Sequence, residues 1–158
     1  MSPSKSRRKT VSRLEDHLGY WLRFVSNHVS ASFARRLEAQ DISVSEWVAL
    51  RKLYDTPVYT SPSALAASLG MTRGAVSRLM ERLAQKDLVE RQASRNDGRA
   101  QQIRLSSIGR KLVPRLAAIA EENEEAYFGD LPAGVREVLI GLMKNIVEAS
   151  QMTQIPVD

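Results

Sequence analysis

Leu65-Ala-Ala-Ser-Leu-Gly-Met-Thr-Arg-Gly-Ala-Val-Ser-Arg-Leu79 is the stretch on which the fold turns. Just upstream, Ser61 is suited to cap a helix and Pro62 to occupy its first turn. Leu65 and Leu69 then face one side, and Gly70 can take the positive φ that ends a short helix. Beyond Met71, Thr72 is a second N-cap, and Val76, Leu79, Met80 and Leu83 place an apolar stripe on a helix reaching about Lys86. Two helices joined by a glycine-containing turn make a helix-turn-helix. The outer face of the second helix sets it apart from an ordinary helical hairpin. Thr72, Arg73, Gly74, Ser77 and Arg78 are small, hydroxylated or cationic, and Arg82 follows one turn later. Arginine can fork onto guanine O6 and N7, and serine and threonine can bond base edges or phosphates. Gly74 costs helix propensity unless something must approach closely. The free N–H groups at the helix start favour a phosphate.

Downstream, Leu88-Val-Glu-Arg-Gln92 and Gln101-Gln-Ile-Arg-Leu105 read as two short strands around the polar segment 93–100, which contains the turn signal Asp97-Gly98. This predicts a β-hairpin wing directly after the second helix, with Arg95 and Arg99 at its tip, where a guanidinium can enter a narrow minor groove. Charge follows the same map. Residues 71–111 carry ten basic and four acidic side chains, whereas 112–158 carry three basic and eight acidic. Residues 1–13 carry five basic and no acidic side chains and form a candidate disordered arm for phosphates.

The flanks are helical and short of partners. Leu14, Leu18, Trp21, Val25, Val29, Phe33 and Leu37 form one stripe on an expected helix over 14–38, and Ser45 is the expected cap of a helix ending before Thr56-Pro57. Ser106 caps a final helical pair, with Leu112, Leu116, Ile119 and Ala120 on one face and Val135, Val138, Leu139, Leu142 and Ile146 on another. Pro114 is expected to bend its helix. One thin domain cannot cover all these stripes, so a two-fold dimer through the chain ends is expected. The fold class is mainly α with a small β-hairpin wing (α+β): a winged helix-turn-helix on a helical dimerisation stem. Its expected parts are a basic arm (1–13), a dimerisation helix (14–44), a DNA-binding lobe (45–105), C-terminal dimerisation helices (106–150) and a tail (151–158).

Several chemistries have no support. With no cysteine there is no disulfide, thiolate nucleophile or cysteine-bound zinc. His17 and His28 are the two histidines, about 16 Å apart along one helix and too distant to share an ion. There is no Gly-x-Ser-x-Gly, phosphate-binding glycine loop or His-Glu-x-x-His. The expectation is a non-enzyme with no cofactor and no metal. Residues 2–13 lack the apolar segment of a secretory signal, and no apolar run is long enough to span a bilayer, so no membrane partner and a cytoplasmic location are expected.

The helix-turn-helix Leu65 to Leu79, the segment Asp87-Leu-Val-Glu-Arg91 and the run Asp97-Gly-Arg-Ala-Gln-Gln-Ile-Arg-Leu-Ser-Ser-Ile-Gly109 together resemble the multiple-antibiotic-resistance regulator (MarR) family over roughly residues 14–149. The resemblance implies a homodimeric transcriptional repressor whose two lobes sit on one pseudo-palindromic double-stranded operator. It makes Arg99 the wing-tip residue and Thr72, Arg73, Ser77 and Arg78 the groove-facing set. It also implies a small aromatic acid or phenol as effector, wedged between stem and lobe, for which Trp21, Phe24, His28, Trp47 and Tyr54 are the candidate lining. Two positions depart from the family pattern. Gly98 stands where a cation is common and lowers nonspecific affinity; Asp87 stands where glycine is common and must itself tolerate a left-handed backbone. Two other readings of the residues stay open: a winged-helix dimer that binds another protein, and a sequence-independent DNA-coating protein.

Overall fold

The computed structural model describes residues 11–93 and 101–152. A single 3-10 turn, Leu14–Asp16, precedes helices α1 (Leu18–Glu38), α2 (Val44–Tyr54), α3 (Pro62–Leu69) and α4 (Arg73–Gln85). Strands β1 (Val89–Ala93) and β2 (Gln101–Leu105) follow, then α5 (Ser107–Phe128) and α6 (Val135–Ala149). The strands pair antiparallel with Val89 opposite Leu105 and Ala93 opposite Gln101. Thr60 bridges the free side of β2 at Ile103, which anchors the hairpin to the lobe.

Local chemistry explains the element ends and corrects three boundaries. The expected 14–38 helix is interrupted at His17, whose backbone is extended at φ −102° and ψ 124°. The Asp16 carboxylate accepts the Arg13 N–H at 3.1 Å, closing a separate turn before α1 begins. The cap of α2 is Ser43 rather than Ser45. Its Oγ accepts the Glu46 N–H at 3.2 Å while Glu46 Oε2 accepts the Ser43 N–H at 2.9 Å, a reciprocal pair that starts the helix earlier. Strand β1 begins at Val89 because Leu88 ends α4 instead, its N–H bonding the Leu83 carbonyl at 2.9 Å while Asp87 sits at φ 58°. Helix α5 runs unbroken through Pro114.

One core fills the lobe. Leu37, Leu50, Leu53, Leu69, Leu79, Met80, Leu83, Ile103 and Leu116 are fully buried, so the end of α1, all of α2 to α4, the hairpin and the first half of α5 share it. The remainder is a stem. Asn123 Nδ2 and the Tyr127 hydroxyl of α5 donate to the carbonyls of Val29 and His28 in α1, at 3.3 and 3.2 Å. Beyond those contacts the apolar stripes lie open. Leu18, Trp21, Leu22, Phe24 and Val25 of α1 and Val138 to Ile140, Leu142, Met143, Ile146 and Val147 of α6 are all exposed, and no residue of α6 is buried. Among the described residues no helix is long and apolar enough to cross a membrane.

Candidate nucleic-acid interface

Helix α4 is set by its two ends and its buried side. Gly70 takes φ 62°, turning the chain out of α3. The Thr72 side chain then accepts the Ala75 N–H at 3.2 Å. Val76, Leu79, Met80 and Leu83 face the core, which leaves Thr72, Arg73, Gly74, Ser77 and Arg78 together on one exposed face. A Cβ placed on Gly74 would meet only Arg78 Nη1, at 3.9 Å. Packing within the chain therefore does not require a glycine there; close approach from outside is the remaining physical use for it. Losing the cap leaves a first-turn N–H unpaired, so Thr72→Ala is expected to lower stability by about 1 kcal/mol in a denaturant titration.

Arg82 is turned elsewhere. Its Nε lies 3.6 Å from Glu46 Oε1, toward the body of the lobe. The sequence missed this tie because Glu46 looks like an ordinary surface residue of α2 until the tertiary fold buries it.

The wing is braced at its base. The Ser106 hydroxyl donates to the Asp87 carbonyl at 2.6 Å and accepts the Gly109 N–H at 2.9 Å, joining the end of α4 to the start of α5. Higher up, Glu90 and Arg104 face each other across the strands with N–O distances of 2.7 and 2.8 Å. The Arg104 guanidinium lies 4.6 Å from the Tyr59 ring centre. The hydrogen bond to Glu90 raises the Arg104 pKa above its ordinary value. Arg95 and Arg99, with Asp97 and Gly98, lie outside the described residues.

The five aromatic and histidine candidates for a pocket separate into two groups. Trp21, Phe24 and His28 come together along α1, with ring centres 6.3 and 4.5 Å apart in sequence order. They line an open apolar groove of about 1040 Å³ with Tyr127, Leu139 and Met143 of α5 and α6. Trp47 and Tyr54 are not part of it. Trp47 packs edge-on against Phe33 in the lobe, with ring centres 6.4 Å apart, and the Tyr54 ring has the guanidinium groups of Arg51 and Arg110 within 5.9 and 5.3 Å of its centre. Helix α2 packs both against the lobe core, while the first half of α1 projects past it. The groove thus belongs to the stem, and α6 supplies a wall that the exposed stripe Leu139, Ile140 and Met143 could have suggested. Among the described residues no three histidine, cysteine or carboxylate side chains gather as a metal site would need.

A helix-turn-helix followed by a strand hairpin and flanked by a helical stem defines a winged helix-turn-helix protein. Residues 40–100 match the family model described as MarR family. The chain is similar to a probable transcriptional regulator from Pseudomonas aeruginosa at 28% identity and a TM-score of 0.73, over 85% of this chain and 99% of that one. It shares its fold with S. aureus MepR in a DNA complex, at 24% identity and a TM-score of 0.72, over 84% and 98% of the two chains. It also shares it with CouR from Rhodococcus jostii RHA1 bound to p-coumaroyl-CoA, at 19% identity and a TM-score of 0.73, over 92% and 99%. The chain thus has the winged helix-turn-helix fold, and its segment 40–100 is similar to the MarR family.

Proposed function

We propose that the protein is a cytoplasmic, homodimeric repressor that reads a pseudo-palindromic operator and releases it when a small ligand binds. The observation that carries this reading is the face of α4. Five groove-compatible residues stand exposed together beside a hairpin wing: the two arginines and two hydroxyls can bond base edges and phosphates, and the glycine lets the helix approach closely. Arg95 and Arg99 in the wing segment are assigned to the adjacent minor groove.

The stem, formed by the expected dimerisation segments 14–44 and 106–150, supplies the second half of the proposal. Its open apolar faces on α1 and α6 exceed what scattered surface residues explain, and a two-fold partner would cover them. Such a dimer must place its two reading helices one DNA turn apart, roughly 34 Å, so a change of stem geometry controls affinity. The effector is assigned to the aromatic acids or phenols. Trp21, Phe24 and His28 set three rings, edge-on and tilted to one another, along the groove where a ligand ring could pack, and two proteins of this fold are described with p-coumaroyl-CoA and with regulation by 6-hydroxynicotinic acid.

Fluorescence anisotropy against the DNA upstream of the protein's own coding sequence and a scrambled duplex, at two salt concentrations, tests the reading. The expected preference is about 10³-fold or more. Arg78→Ala is expected to cost about 1 to 3 kcal/mol on the specific duplex and much less on the scrambled one. Equal binding to both duplexes with a steep salt slope would point to DNA coating, and no binding to either would favour a protein-binding winged helix. A salicylate titration that left operator affinity unchanged would remove the aromatic-acid class of effector only.

A further inference from the structure

Glu46 is a carboxylate taken almost wholly out of water, with 2% of its surface exposed. Such a group is retained only when it is paired and hydrogen-bonded. Its partners are specific. Oε2 accepts the Ser43 N–H at 2.9 Å and lies 3.1 Å from Lys86 Nζ, and Oε1 faces Arg82 Nε at 3.6 Å. Both cations come from the C-terminal end of α4, the helix whose N-terminal face is assigned to DNA.

Lys86 reaches a third element as well. Its ammonium donates to the Asp41 carbonyl and lies 3.5 Å from the Asp41 carboxylate. Asp41 holds φ 57° in the turn between stem helix α1 and lobe helix α2. That turn is closed by the N–H groups of Gln40 and Ile42 on the Leu37 carbonyl, at 2.8 and 3.1 Å, and of Asp41 on the Glu38 carbonyl at 2.9 Å. One ammonium therefore spans the end of the reading helix, the buried carboxylate of α2 and the turn that leaves the stem. Helix α4 otherwise packs chiefly on α3, β1 and α2, so this cluster is its polar link toward α1.

We propose that Glu46 is a positioning residue for DNA reading: through Arg82 and Lys86 it fixes α4 to the α1–α2 turn, so that the reading face moves with the stem. The inference rests on the assignment of α4 to DNA. It gives Arg82 a role behind the interface in place of a groove contact.

The test compares full-length wild type, Glu46→Gln, Lys86→Met and Lys86→Arg on operator and scrambled duplexes, with thermal unfolding of each. Glutamine still accepts the Ser43 N–H, and Arg82 and Lys86 are exposed enough, at 51% and 28% of their side chains, to be hydrated without their partner. Removing a negative charge by itself strengthens binding to both duplexes. Loss of positioning instead lowers operator affinity about tenfold in Glu46→Gln while scrambled DNA binds as well as before or better. Lys86→Met should also lose operator affinity, Lys86→Arg should restore it, and Glu46→Gln combined with Lys86→Met should lose less than the sum of the two. Amide exchange gives a readout that a purely structural role would not move. Operator binding should slow exchange at Gln40 to Ile42 in wild type, and should slow α4 alone in Lys86→Met. An unchanged operator preference in Glu46→Gln, or parallel losses on both duplexes that track the unfolding temperature, overturns the inference. A wild type that fails to discriminate the duplexes overturns the regulator reading and this inference with it.

Discussion

Leu142→Glu combined with Ile146→Glu is expected to turn the protein into a monomer and to weaken operator binding by about 10²- to 10⁴-fold. The two residues are one turn apart on α6, exposed at 51% and 41%, and outside the lining of the stem groove. Glutamate at either position stays in water in the isolated protomer, so the fold of the chain should survive. In a two-fold stem the same carboxylates are buried in an apolar interface, with a desolvation cost that the lost apolar contact only increases. Each lobe would then bind its half-site alone, and the gain from linking the two lobes disappears. Light scattering checks the first claim, as a fall from twice 17.7 kDa to 17.7 kDa, and anisotropy checks the second. A double variant that remains dimeric removes α6 from the interface. A monomer that keeps full affinity removes the need for two linked lobes.

The second large effect is expected at a glycine. A Cβ on Gly109 would stand 2.1 Å from the Leu88 carbonyl oxygen and 3.3 Å from Leu105 Cδ2. Backbone cannot swing aside as a side chain can, and this carbonyl already accepts the Ser106 N–H at 3.1 Å. Gly109→Ala must therefore push the start of α5 away from the end of α4, where Leu88, Val89, Leu105 and Val113 are buried. The expected loss is about 3 kcal/mol, or roughly 6 to 12 °C in unfolding temperature for a chain of this size. Differential scanning calorimetry measures it, with Ser107→Ala as a neighbouring exposed control expected within about 0.5 kcal/mol of wild type. Equal stability of Gly109→Ala and wild type would mean that the base of the wing yields more readily than its packing implies.

What the linear sequence determined is whatever local chemistry decides. Ser61, Thr72 and Ser106 cap the helices that their side chains start, Gly70 and Asp87 take the left-handed conformations that end α3 and α4, and the 101–105 strand falls where its pattern places it. The exposed cluster on α4 was readable for the same reason, because the 3.6-residue period gathers Val76, Leu79, Met80 and Leu83 on one side and leaves the polar residues on the other. Ser43 was readable too: with Glu46 three residues later it has the spacing of a reciprocal cap, and a cap drawn at Ser45 overlooks it.

Contacts between distant segments were decided only by the tertiary structure. Trp21 and Trp47 look alike as aromatics at helical spacing, yet one lines the open stem and the other packs against the lobe core, because α1 and α2 diverge at the Asp41 turn. Arg82 lies on the same helix as Arg78 but meets a carboxylate 36 positions earlier in the chain, and nothing in either residue's neighbourhood signals that partner. Caps, turns and periods are settled by residues within a few positions of one another. Burial of Glu46, the split of the aromatic residues and the open face of α6 depend on which helices pack together, and that is a property of the whole chain.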